Sequence, residues 1–257
     1  MSKRSRKSVR NERIAELSRA LILNGKAIED GPHRKKWSKH DLRHIKPLTP
    51  TQNEFFHDFL AGKHICAHGS AGTGKTYIAI YLALNELLRE DSPIDQIIIV
   101  RSAVPTRDQG FLPGTLEEKS MLYELPYQEM FADFLGRQSS YEDMKAGGRV
   151  VFCTTSFIRG LTWDHSIVIV DEGQNMNFHE INSIMTRLGV HSRMIFVGDL
   201  PQTDLRKSKL DTSGMEDYIK VVSRMPEFSV IHFTHHDIVR SDFVKNWIVA
   251  CEEITST

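Results

Sequence analysis

From residue 51 onward the chain alternates between two hydrophobic periods. Short apolar runs bounded by glycine or charge alternate with longer stretches in which apolar residues recur at every third or fourth position, the spacing of one helix face. The runs predict strands at 63–67, 96–100, 150–154, 166–170, 194–197 and 230–233. The longer stretches predict helices at 76–89, 117–135, 178–188, 214–223 and 238–250, after a first helix whose Phe55, Phe56, Phe59 and Leu60 share a face. Runs such as QIIIV at 96–100 are apolar throughout, as in parallel strands covered on both sides. This alternation predicts an α/β fold: a doubly wound, mostly parallel sheet with helices on both faces, filling residues 48–257.

Residues 1–47 read differently. Residues 1–8 are small, polar and basic, a composition that predicts disorder. Ile14, Leu17 and Leu21 then predict an amphipathic helix over 9–23, ended by Asn24-Gly25. Gly31-Pro32 opens a second basic stretch, and Pro47 and Pro50 bracket the entry to the main domain. The chain of 257 residues has no net charge, yet residues 1–50 carry 14 Lys and Arg against 5 Asp and Glu, net +9, and the remainder is net −9. A basic helical N-terminal arm of this kind suits an anionic partner, nucleic acid first, or an acidic face of a neighbouring copy, or solvent alone.

Other bulk features narrow the setting. Hydrophobic residues make up 40% and charged residues 26%, as in an ordinary globular protein. No apolar run is long enough for a membrane span, and the N-terminus lacks the apolar core of a signal peptide. Cys66, Cys153 and Cys251 form no CxxC pair, so neither a disulfide framework nor a zinc knuckle is suggested, and a reducing cytoplasmic setting is expected.

The chemistry concentrates at strand ends. GSAGTGKT at 69–76 matches GxxxxGK[ST] at every defined position, after an apolar strand and ahead of a helical pattern. Gly69, Ser70, Ala71, Gly72, Thr73 and Gly74 form a loop whose backbone N–H groups face phosphate oxygens, and the helix that follows adds its N-terminal dipole. Lys75 is expected on the β- and γ-phosphates, Thr76 on Mg²⁺, and Tyr77 beside them among the nucleotide contacts. A second apolar strand ends in Asp171-Glu172, about 95 residues later. Asp171 is expected in the Mg²⁺ shell, and Glu172 as the base that orients and deprotonates water. In a third, GDLPQ at 198–202, Gln202 is expected to contact the γ-phosphate or position the water, and Asp199 to link that loop to Asp171 and Glu172.

Together GSAGTGKT, DEGQN and GDLPQTDL resemble the PhoH family of P-loop ATPases, and VRSAVP, GFLPGTLEEK, SFIRGLTW and DIVRSDF agree. The resemblance covers roughly residues 48–250. It implies a RecA-like P-loop NTPase fold akin to the first motor domain of superfamily one helicases, ATP with Mg²⁺, and action on RNA or single-stranded DNA. It also implies that Gln52, in TPTQ, reads the adenine edge; otherwise Gln52 is a surface residue on an amphipathic helix. Some relatives add a nuclease or an RNA-binding domain, but neither the acidic cluster of a PIN nuclease nor a KH-type GXXG is read here.

Several features stay open. Arg101, Arg107, Phe111, Arg159 and Trp163 lie beside strand ends, where helicase-like domains meet nucleic acid, but ordinary surface charge and core aromatics explain them equally. His232, His235 and His236 lack the partners of a metal site. One motor-type domain supplies one wall of an ATP site, so a homo-oligomer is expected, with a hexameric ring as one form. Arg240 in DIVRSDF would then reach a neighbour's ATP, with Arg206 as the alternative. A nucleotide-gated assembly protein without nucleic acid is the rival to an ATPase coupled to RNA or single-stranded DNA.

Overall fold

The computed structural model describes residues 37–102, 116–155, 158, 160, 162–199 and 213–255. Six strands form a single sheet: β1 (His64–Gly69), β2 (Gln96–Arg101), β3 (Val150–Thr154), β4 (Ser166–Asp171), β5 (Arg193–Gly198) and β6 (Phe228–Phe233). Their spatial order is β3-β2-β4-β5-β1-β6, with every pairing parallel. Between them run α1 (Pro50–Leu60), α2 (Lys75–Leu87), α3 (Leu116–Leu135), α4 (Ser140–Ala146), α5 (Phe178–Met185) and α6 (Met215–Val222), and α7 (Asp242–Thr255) closes the described chain.

Period-two alternation divides the strand side chains between two cores. Ile97, Ile99, Ile167, Ile169, Ile195 and Val197 face one way, onto Phe55 and Phe59 of α1, much of α2, Tyr127, Phe131 and Phe134 of α3, and Tyr141 of α4. Ile98, Val100, Val168, Val170, Met194 and Phe196 face the other way, onto Ile181 and Ile184 of α5 and Met215, Tyr218 and Val222 of α6. Right-handed crossovers account for this partition. From β1 to β3 the chain travels toward one sheet edge and lays α2, α3 and α4 on one face; from β4 to β6 it travels back and lays α5 and α6 on the opposite face. The reversal makes the expected doubly wound sheet and opens a crevice at the strands' C-terminal ends.

Some local expectations shift. Leu60 is exposed instead of sharing the buried face of Phe55 and Phe59. The short α4 carries no clear period, yet acids in its first turn and Gly147 at its end suit a helix. The helix expected from 238 begins at Asp242, because Thr234 accepts from His236 N at 3.3 Å and closes a separate turn over His235–Asp237. Trp37 is buried in the main core, and Arg43 N donates to Phe134 O at 2.8 Å, so residues 37–46 lie against α2 and α3. The arm helix expected at 9–23 lies outside the described residues. No helix among the described residues is long and apolar enough to cross a membrane.

Candidate nucleotide site

The loop between β1 and α2 is held from behind by β6. Ser70 N donates to Phe233 O at 2.9 Å, and Gly69 has φ +121°. A Cβ on Gly69 would lie 1.9 Å from that same Phe233 carbonyl oxygen. The position therefore requires glycine twice, for its backbone angle and for its space. Gly69→Ala is expected to lower unfolding free energy by more than ~2 kcal/mol, read from urea denaturation against the parent chain. A change within ~0.5 kcal/mol would mean that the strand-to-loop turn relaxes freely.

Inside the loop sits Lys75, nearly fully buried. Its ammonium donates to Ser70 O at 2.6 Å and to Thr73 Oγ1 at 3.1 Å, and pairs with Asp199 Oδ1 at 2.8 Å. Asp199 follows β5, the strand inserted between β1 and β4. That insertion carries the Asp199 carboxylate to the lysine.

Thr76 meets the acidic strand end directly. Its hydroxyl donates to Asp171 Oδ1 at 2.7 Å, while the buried Tyr127 hydroxyl donates to Asp171 Oδ2 at 2.7 Å. Two hard oxygen donors side by side, on a threonine and a carboxylate, fit Mg²⁺, which takes few protein ligands and keeps water or phosphate on its other positions. Glu172 follows in the left-handed region, φ +54° and ψ +40°. Its Oε2 accepts from Gln174 Nε2 at 2.6 Å, and Gln174 Oε1 accepts from Asp199 N at 2.9 Å. One amide thus joins the Glu172 side chain to the loop of the lysine's partner. Burial raises the Glu172 carboxyl above its ordinary pKa, and the Asp171 and Asp199 carboxylates add to the rise.

A cleft of about 820 Å³ runs from Lys75, Glu172 and Asp199 past Gln52 to Arg43, His44, Ile45 and Lys46. That volume suits a nucleotide-sized ligand. The family model described as PhoH-like protein matches residues 44–252, from this wall of the cleft to α7.

The chain belongs to the PhoH-like family.

Among its relatives is a PhoH-like protein of Bacillus subtilis, 33% identical over 210 residues, which are 81% of this chain and 64% of the relative. A PhoH-like protein of Synechocystis is 32% identical over 190 residues, 74% and 56% of the two chains. The Protein PhoH of Escherichia coli is 32% identical over 179 residues, 69% and 49%. The chain therefore spans half to just under two thirds of the length of these curated relatives. The PhoH-like family is a P-loop NTPase family, and the six-stranded parallel sheet agrees with a RecA-like P-loop fold.

The PhoH-like site brings together Lys75, Thr76, Asp171 and Glu172. Gln52 is buried, not on the surface; its Oε1 accepts from Leu48 N at 2.7 Å and its Nε2 donates to Thr73 O at 3.0 Å. Tyr77 also lines the cleft, its hydroxyl donating to Asp133 Oδ2 at 2.6 Å and accepting from Arg43. Arg240 lies against the phosphate loop of its own chain. Val239 N donates to Gly72 O at 3.1 Å, and a Cβ on Gly72 would stand 3.2 Å from Arg240 Cγ. Gln202, Arg206, Arg107, Phe111 and Arg159 lie outside the described residues. Trp163 is buried in the second core. His232 stacks on His68 with ring centroids 4.8 Å apart, and no cluster of three or more potential metal-binding His, Cys, Asp or Glu occurs among the described residues. Sequence does not signal Tyr127, and Gln174 enters only as one residue of the DEGQN segment, without a role of its own. Helical periodicity marks Tyr127 only as a buried position, and Gln174 is one polar residue of a turn.

Proposed function

We propose that this PhoH-like chain binds ATP with Mg²⁺ and hydrolyses it to ADP and phosphate, coupled to binding RNA or single-stranded DNA. The Thr76–Asp171 contact at 2.7 Å, with Lys75 on one side and Glu172 on the other, carries the reading. Lys75 and the loop N–H groups bind the phosphates and meet the charge that grows on the leaving oxygen. Thr76 and Asp171 would hold Mg²⁺, which supplies charge neutralisation for the phosphates. Glu172 takes a proton from water as the water oxygen bonds to the γ-phosphorus. The bond from that phosphorus to the β–γ bridging oxygen breaks, and ADP departs with the electron pair. Two adjacent acids with different partners favour water as the acceptor. The nucleic-acid part rests on the likeness to helicase motor domains and on the net +9 of residues 1–50.

The deciding experiment measures ATP turnover with and without RNA, single-stranded DNA and duplex, beside the mass of the assembly. Stimulation by a single strand supports the coupled reading. Turnover indifferent to nucleic acid, with ATP altering the assembly mass, favours the nucleotide-gated assembly protein.

Arg240 is proposed to act on the ATP of its own chain. Residues 238–240 are tied to the loop at Gly72, and Asp237 accepts hydrogen bonds from Thr234, Thr49 and Thr51, which ties the same turn to the start of α1. Arg240→Ala and Lys75→Ala subunits, each inactive alone, are then expected to stay inactive when mixed under proven subunit exchange. Recovery of turnover would put Arg240 at a neighbour's ATP and support the ring.

A further inference from the structure

Tyr127 on α3 is fully buried, its ring in the core beside Phe152 with centroids 5.9 Å apart. Its hydroxyl reaches the strand ends, where it donates to Asp171 Oδ2 at 2.7 Å and accepts from the Arg101 guanidinium. Arg101 ends β2, in register with Asp171 on β4. Arginine carries donors only, and a tyrosine hydroxyl has one proton. The bond from Arg101 therefore commits that proton to Asp171. The helix that carries the hydroxyl is itself anchored. Glu124, buried, accepts from Tyr141 at 2.7 Å and from Lys145 at 2.6 Å, which ties α3 to α4. Tyr123, one turn before Tyr127 on the same helix face, has its ring centroid 5.7 Å from the Arg101 guanidinium carbon.

Asp171 is thus divided between two hydroxyls. Thr76 takes Oδ1 at 2.7 Å on the side of the phosphate loop, and Tyr127 takes Oδ2 on the side of the core. A cation held between Thr76 and Asp171 would not require the bond on the far oxygen to break. Mg²⁺ demands near-ideal geometry, so a carboxylate free to turn holds it less well. Hydrogen-bond partners that orient a metal ligand change metal affinity by about 10–100-fold. We propose that Tyr127 is the positioning residue that holds the Asp171 carboxylate in place for the Mg²⁺ of the nucleotide. The inference rests on the Mg²⁺–ATP reading and adds a residue to it. The hydroxyl stands behind Asp171, outside the lining of the cleft, so it acts on the site through that carboxylate.

The test measures Mn²⁺ as the probe, bound to the full-length protein saturated with ADP, by electron paramagnetic resonance. Tyr127→Phe removes the hydroxyl and keeps the ring. It is expected to weaken Mn²⁺ binding by about tenfold or more. ADP affinity without metal should stay within about twofold, since the hydroxyl touches no loop group. Asp171→Ala removes the ligand itself. Adding Tyr127→Phe to Asp171→Ala should lower Mn²⁺ affinity no further, because a residue that acts through Asp171 then has nothing to position. Additive losses overturn the inference. So does an Mn²⁺ affinity within about twofold of the parent in Tyr127→Phe, or a matching loss of metal-free ADP binding, which marks a purely structural role. Tyr127→Met, which also lacks the hydroxyl, carries the same measurements if the phenylalanine variant fails to fold. A parent ADP complex that binds no Mn²⁺ overturns the inference together with the Mg²⁺ reading. A parent that binds ADP and Mn²⁺ yet turns over no ATP overturns the hydrolysis reading alone, and the Mn²⁺ comparison still decides the place of Tyr127.

Discussion

Glu172→Gln is expected to bind ATP as tightly as the parent chain and to turn it over about 10²–10⁴-fold more slowly. Glutamine keeps the shape of the side chain and its acceptor oxygen, so the hydrogen bond from Gln174 survives. What it loses is the capacity to take a proton. That capacity matters only as water attacks, so the loss falls on kcat and spares the ground state. The same logic gives the pH dependence of the parent chain. The Glu172 pKa is raised by burial and by Asp171 and Asp199, and the base works only when ionised. Turnover should therefore fail on acidification at a pH above the ordinary glutamate value of about 4.3. ATP binding by equilibrium dialysis and single-turnover hydrolysis across pH check both parts. Near-parent turnover in Glu172→Gln would assign the proton to another group.

Lys75→Ala is expected to lower kcat/KM by about 10²–10³-fold and, unlike the change at Glu172, to weaken ATP binding as well, by about tenfold or more. The lysine already spends its donors on Ser70, Thr73 and Asp199, so phosphates exchange one set of anionic or polar partners for another. Removing it takes away a phosphate contact and also leaves the Asp199 carboxylate unpaired beside the phosphates. Repulsion then adds to lost attraction. Asp199→Asn in the Lys75→Ala background should accordingly recover part of the binding and none of the turnover. Binding by calorimetry in the single and double variants measures that recovery; an additive loss would mean that Asp199 does not face the phosphates.

The phosphate loop was legible because its constraints are local. Gly69, Gly74, Lys75 and Thr76 lie within eight residues, and a backbone that must pass close under Phe233 O admits only glycine at 69. The strands were legible because burial on both faces demands unbroken apolar runs, as in Ile167 to Val170. What escaped were contacts made across the sheet. Tyr127 reaches Asp171 across 44 positions, and nothing near Tyr127 marks the pairing. Asp199 was expected as a link to the acidic strand end, but its backbone makes that link through Gln174 while its side chain goes to Lys75. The composition of residues 37–46 resembles the basic stretch before them, yet His44, Ile45 and Lys46 form a wall of the cleft. Charge counts cannot see that Trp37 anchors this segment in the core.

Glu172 holds a left-handed backbone angle that side-chain-bearing residues adopt at a cost of roughly 1–2 kcal/mol. A designer who optimised this backbone for stability alone would write glycine or asparagine at 172 and obtain a sturdier, inert protein. The fold has accepted a weaker native state at the residue that handles water. Variants selected only for heat resistance are therefore apt to drift away from glutamate here, and thermal screens of this family need a turnover assay beside them to keep its chemistry.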